Sequence, residues 1–147
     1  MDARKPGVLS AGQVQEMLQR EFSQMMSRGS AVHIEDAWHG GSRVRRAFSE
    51  QSLRPGGTIS GPTMMGLTDF GMYVAILASI GPVPLAVTTN LNINFLRRPV
   101  QKDLIAETRL IKLGKRLAVG EVQIYSEGDE DMVAHATATY SIPPRDS

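Results

Sequence analysis

The chain has 147 residues, with 16 lysines and arginines against 15 aspartates and glutamates, and no cysteine. Such a length buries roughly 68–70% of the surface that the unfolded form exposes, enough for one domain without a metal or disulfide staple. The near-neutral balance argues against a general nucleic-acid binder, and the missing cysteines exclude disulfides, thiol catalysis and thiolate metal sites while agreeing with a reducing cytoplasm.

Residues 1–9 read as a flexible lead with no apolar signal core. Ser10 then caps an amphipathic helix that carries Val14, Met17, Leu18, Phe22, Met25 and Met26 on one stripe. A methionine stripe of this kind packs a core more often than it lines a cofactor site. Ala31 to Ser49 suggest two short strands around Gly40-Gly41, followed by the loop Arg54-Pro55-Gly56-Gly57.

Between Arg54 and Arg97, 42 residues hold a single formal charge, Asp69. It falls inside the apolar run Met64 to Leu77, which follows Ser60-Gly61-Pro62. Ser60 or Gly61 can cap a helix here, and Pro62 suits its first turn. A helix apolar nearly all round must be enclosed on most sides. Burying an unpaired carboxylate costs several kcal/mol, so Asp69 needs donors, a raised pKa or a cavity; carboxyls in that position are common at active sites. The alternative is an aspartate that only reaches solvent at the helix surface. Gly81-Pro82-Val83-Pro84 interrupts the charge-free run Phe70 to Val87, which therefore reads as a core helix and then a strand, not a membrane span.

Beyond that break the period becomes two. Thr88, Asn90, Asn92 and Asn94 alternate with Thr89, Leu91, Ile93 and Phe95, a strand with one buried and one polar face. Strands at Asp103 to Leu113, Leu117 to Tyr125 and Met132 to Ile142 follow, turning at Gly114-Lys115 and Glu127-Gly128-Asp129. The expectation is an α+β domain over residues 10–143, a four-strand meander wrapping the apolar helix, with 144–147 as a tail.

This order resembles the hotdog fold, one apolar central helix wrapped by a long antiparallel sheet, here with an extra N-terminal helix. From Val44 to Pro143 the chain is similar to the acyl-CoA thioesterases of the phenylacetate-pathway (PaaI-like) family. The resemblance rests on the Ser60-Gly61-Pro62 helix start, on Asp69, on the strand Asn90 to Pro99 and on the closing Val133 to Tyr140. It implies that Asp69 is the catalytic carboxylate, as nucleophile or as general base, and that the Gly61 N–H polarises the thioester carbonyl. Orphan N–H groups and the helix dipole favour such an oxyanion. It further implies that Thr88 reaches the site from another subunit, and that Arg97, Arg98, Lys115 and Arg116 contact coenzyme A phosphates. The family's usual start is His-Gly-Gly with an acid seven residues after the second glycine. Here Ser60 replaces the histidine and Pro62 the second glycine, with Asp69 seven residues on. Arg54 stands roughly where some members keep an asparagine.

The bland readings are a solvated strand end for Arg97-Arg98 and a solvated turn for Lys115-Arg116. For Asn90, Asn92 and Asn94 the choice lies between an exposed sheet face and a strand paired with its twin in a homodimer or homotetramer. His33, His39 and His135 lack ligand spacing, so no metal is expected, and no cofactor. No G-x-S-x-G elbow and no phosphate-binding glycine loop is present. Two functions remain open: hydrolysis of an acyl-CoA thioester, or binding of acyl-CoA or another apolar ligand without turnover. A dehydratase is more remote, since it would want a histidine beside the carboxyl. No nucleic-acid partner or membrane insertion is expected, and the acyl group is not specified.

Overall fold

The computed structural model describes residues 4–21 and 32–144. Helix α1 (Ala11–Glu21) precedes the strands β1 (Val32–Trp38) and β2 (Gly41–Arg46), then a 3-10 turn and the small hairpin β3 (Leu53–Arg54) and β4 (Thr58–Ile59). Helix α2 (Gly61–Ile80) follows, then β5 (Val87–Phe95), β6 (Leu104–Leu113), β7 (Leu117–Ser126) and β8 (Met132–Ser141). Phe22, Met25, Met26 and Ala31, which the sequence places in the first helix and first strand, lie outside the described residues, as does the tail from 145 to 147.

α1 starts where its cap dictates. Ser10 Oγ accepts from Gln13 N at 3.2 Å, and Gln13 Oε1 accepts from Ser10 N at 2.8 Å, a reciprocal pair that satisfies two otherwise orphaned donors. Val14, Met17 and Leu18 are buried, so the stripe packs into the core. α2 begins at the Ser60 cap and ends at Gly81, whose φ of 92° suits a residue without a side chain.

Six strands form one antiparallel sheet in the order β1-β2-β6-β7-β8-β5. The expected four-strand meander is corrected here. β5 does not lie beside β6; it pairs with β8 at the far edge, and β2 takes the place next to β6. The stretch Leu96 to Asp103, with Pro99 buried within it, carries the chain across the end of the sheet. Once the β1-β2 hairpin has claimed the open edge of β6, the backbone groups of β5 find partners only on β8.

The sheet wraps α2 as the hotdog arrangement requires. Leu67, Met72, Ile76 and Leu77 are at most 1% exposed, each such side chain contributing roughly 1.5–3 kcal/mol. By length and composition α2 could cross a membrane, but 72% of its apolar window is buried inside the fold. On the outer face Arg45 pairs with Glu35, Asp103 and Glu127, and Arg43 with Glu35 and Glu107, stitching β1, β2 and β6 together. His135 also lies on this face, 3.4 Å from Glu121, and no metal-binding group of His, Asp and Glu occurs among the described residues.

Candidate active site

α2 is not enclosed evenly. Pro62, Met65 and Gly66 are exposed and Asp69 is half-buried, whereas Phe70 through Ser79 are buried. Those four positions follow the i, i+3, i+4, i+7 spacing of one helix stripe, so the helix presents a single uncovered strip with Asp69 on it. Beside the strip runs the edge strand β5, whose half-buried Leu91 and Ile93 pack against the core. Strip and strand form an open trough.

The local backbone aims the polar groups into that trough. Thr88 pairs with Tyr140 and Asn90 with Thr139, so Thr89 is an extra residue inserted in β5. The strict alternation expected for this strand is corrected by that bulge: Thr88 shares the helix-facing side with Leu91 and Ile93, while Asn90, Asn92 and Asn94 face outward. One inserted residue re-aims a side chain, a recurrent device beside active sites. Thr88 Oγ1 consequently donates to Asp69 Oδ1 within the chain. Tyr140 OH donates to the same Oδ1 at 2.7 Å and approaches Asp69 O at 3.1 Å. Asp69 Oδ2 accepts no hydrogen bond from the described residues.

The head of α2 supplies a donor. Ser60 N–H donates to Ser52 O at 2.9 Å, Met64 N–H to Ser60 O at 3.4 Å and Thr63 N–H to Ser60 Oγ at 3.4 Å. Pro62 has no N–H. Gly61 is therefore left as the first-turn N–H with no acceptor among the described residues. Ser60 Oγ, which also meets Thr63 Oγ1 at 2.8 Å, is engaged in capping. The Phe95 ring covers Gly61 so closely that a methyl group placed there would meet it at 3.2 Å.

The structure does not bring all the expected residues together within one chain. Gly61 and Asp69 are eight residues apart on one helix, about 12 Å at the usual rise. Arg97 and Arg98 follow the Phe95 end of β5, where Arg97 pairs with Asp131 at 3.4 Å. Lys115 and Arg116 lie at the other end, since Leu117 and Val87 both pair with Ser141. The length of β5 separates the two basic pairs by about 26 Å. Lys115 and Arg116 line an open pocket of about 400 Å³ with Ile80, Gly114 and Pro144, and Arg116 Nε donates to Ile142 O at 3.0 Å. Arg54 is exposed on the β3-β4 hairpin. Sequence reasoning missed Tyr140 and the role of Phe95. Tyr140 sits among alanines on a buried strand face, and a buried tyrosine hydroxyl demands a partner.

A family model described as Thioesterase superfamily matches residues 56–133. A crystal structure of a protein provisionally named a thioesterase, from Silicibacter sp. TM1040, is 40% identical, covers 97% of each chain and superposes with a TM-score of 0.84. A provisionally named esterase of Saccharolobus solfataricus is 29% identical over 92% of this chain and 87% of its own. The PaaI protein of the E. coli phenylacetic acid degradation operon shares the fold, with a TM-score of 0.72 at 19% identity over 85% of this chain and 91% of that one. The matched segment runs from the hairpin before α2 into β8 and so spans the trough; the chain belongs to the thioesterase superfamily, built on the hotdog fold.

Proposed function

We propose that the protein hydrolyses acyl-CoA thioesters to free acid and coenzyme A, as a homodimer or homotetramer of domains spanning residues 10–143. The observation that carries the reading is that the only charged side chain of α2, Asp69, lies on its one uncovered strip, facing a trough walled by apolar side chains. Asp69 either takes a proton from the attacking water or attacks the carbonyl carbon itself, giving an anhydride that water then opens. In both routes the C–S bond breaks, the thiol of coenzyme A leaves, and the carbonyl oxygen carries negative charge in the transition state. The Gly61 N–H, at the positive end of a 20-residue helix, answers that charge.

One thioester cannot touch Gly61 and Asp69 of the same chain across about 12 Å, since a donor and a base must each lie near 3 Å from the reacting atoms. A second copy removes the difficulty. The long edge strand β5 offers unpaired backbone groups to a twin. Antiparallel pairing about an axis between Leu91 and Asn92 sets Thr88 of one protomer level with Phe95 of the other. Asp69 of the first then faces Gly61 of the second. The same symmetry carries Arg97 and Arg98 of one protomer toward Lys115 and Arg116 of the other, so that both pairs can serve one coenzyme A. Arg54 and Ser60 border the helix start from the second protomer.

Release of free thiol from short, medium, long and aromatic acyl-CoAs tests the activity, and light scattering tests the assembly. The reading expects turnover of at least one ester and a species larger than 16 kDa. The second reading, an acyl-CoA or apolar-ligand binding module, is favoured by the single free donor at the helix start. A protein inert on every ester yet binding acyl-CoA would select it, and a 16 kDa species alone would remove the composite site.

A further inference from the structure

We infer that Tyr140 is a positioning residue for the reaction: together with Thr88 it fixes Asp69 Oδ1, so that Oδ2 is the oxygen presented to the substrate. The inference rests on the thioesterase reading of Asp69 given above. Three observations carry it.

The two hydroxyls converge on one oxygen. Thr88 Oγ1 donates to Oδ1, and Tyr140 OH donates there at 2.7 Å while approaching the Asp69 carbonyl at 3.1 Å. Two donors on Oδ1 fix the plane of the carboxylate, and Oδ2, which accepts nothing from the described residues, turns to the trough. A free carboxylate would rotate, and a base must hold its lone pair within hydrogen-bond reach of the proton it takes.

Tyr140 is itself braced. It is 3% exposed, and its ring stacks on Tyr73 with centroids 6.3 Å apart and planes 23° apart. Tyr73 OH donates to Pro84 O at 2.9 Å, which ties the stack to the loop leading into β5 and therefore to Thr88. Tyr140 pairs directly with Thr88 in the β5-β8 ladder, at the bulge. Helix, last strand and edge strand thus meet at Oδ1.

The phenol stays a donor. Burial raises the Tyr140 pKa far above the ordinary tyrosine value; the Thr88 hydroxyl opposes this, and the Asp69 carboxylate adds to it. The hydroxyl keeps its proton over any working pH and orients the carboxylate without exchanging protons with it.

The test is kinetic, on the full-length protein with its best acyl-CoA. Tyr140→Phe keeps the ring stack and removes only the hydroxyl. Loss of one hydrogen bond to a charged group predicts a fall in kcat of roughly ten- to a hundredfold, with KM changed less than about threefold. The double variant Asp69→Asn with Tyr140→Phe should be no slower than Asp69→Asn alone, because a positioning residue has nothing left to position. Thr88→Val should reproduce the Tyr140→Phe loss, and Thr88→Ser, which keeps the hydroxyl, should recover most of it. Should Tyr140→Phe fail to fold, the two substitutions at the exposed Thr88 decide. A Tyr140→Phe enzyme within twofold of the parent, beside an inactive Asp69→Asn, overturns the inference and leaves the thioesterase reading standing. Losses that add in the double variant overturn it as well. If Asp69→Asn retains the parental rate, the thioesterase reading of Asp69 falls and the inference falls with it.

Discussion

Two glycines five residues apart on α2 mark two different regions of the molecule. Gly71 faces β2 and β6, where an added methyl group would lie 2.5 Å from Thr108 Oγ1 and 3.6 Å from Val44 Cγ2. Ser42 Oγ donates to Gly71 O at 2.8 Å, so side chains of the sheet reach the helix backbone at this point. Gly66 faces the trough, and an added methyl group there would meet none of the described residues within 4 Å. Glycine costs about 0.5–1 kcal/mol against alanine inside a helix. Packing within the chain explains that cost at Gly71 and does not explain it at Gly66. The sealed side of α2 is built for stability, and the open side leaves room that no described residue fills.

The largest expected effect is on the open side. Asp69→Asn is nearly isosteric but neither base nor nucleophile, so thioester release should fall by about 10²–10⁴-fold with the unfolding midpoint little changed. A rate near that of the parent would return Asp69 to a structural role and erase the contrast.

The boundary between the two sides should respond to alkali. Burial, with a smaller contribution from the Glu21 charge, pushes Tyr73 up to about 12, and Tyr140 shifts the same way. An unfolded tyrosine ionises near pH 10. Above that pH the unfolded chain therefore holds fewer protons than the folded one, and stability present below pH 10 is lost as the pH rises toward 12. The slope is up to about 1.4 kcal/mol per pH unit for each tyrosine. Denaturant titrations at pH 9, 10 and 11 measure it, and a flat profile would mean that these phenols ionise freely in the fold.

On the sealed side, Gly71→Ala should destabilise by about 1–3 kcal/mol although alanine is the better helix former, because Thr108 is stiff and its Oγ1 already occupies the space the methyl group would need. An unchanged melting temperature would show that the helix can lift from the sheet. At the ends of the trough, alanine at Arg97, Arg98, Lys115 or Arg116 should raise KM for coenzyme A esters a fewfold with a smaller change in kcat, as expected when uniform binding is lost. Equal affinity in all four would place the nucleotide elsewhere.

The smallest effect is the most direct reading of the comparison. Gly66→Ala should stabilise the protein by about 0.5–1 kcal/mol in denaturant titrations while lowering kcat/KM on the longest acyl group accepted. Stabilisation without any change in activity or assembly would mean that nothing occupies the open side at that position.

Much of this was legible from residues alone. Ser10, Ser60 and Gly81 mark helix ends by local hydrogen bonding and backbone sterics, and β6, β7 and β8 follow from alternation with short turns, all properties of neighbouring residues. The solitary charge at Asp69 and the Gly61-Pro62 start were equally visible. Sheet order was not, because pairing β5 with β8 in place of β6 depends on which edge the β1-β2 hairpin had already covered. The bulge at Thr89 was hidden for a related reason. Period-two reading assumes that each residue advances the ladder by one, and only the partner strand reveals the residue that does not.

The sequence by itself thus determined which segments form helices and strands, which helix must be enclosed and which carboxylate is anomalous, since each follows from local sterics, polarity and spacing. Only the tertiary structure decided that one strip of that helix stays uncovered and that Tyr140 and Thr88 converge on one oxygen of Asp69. Those facts belong to contacts between residues 19 and 71 positions apart, and no local preference encodes a distance through space.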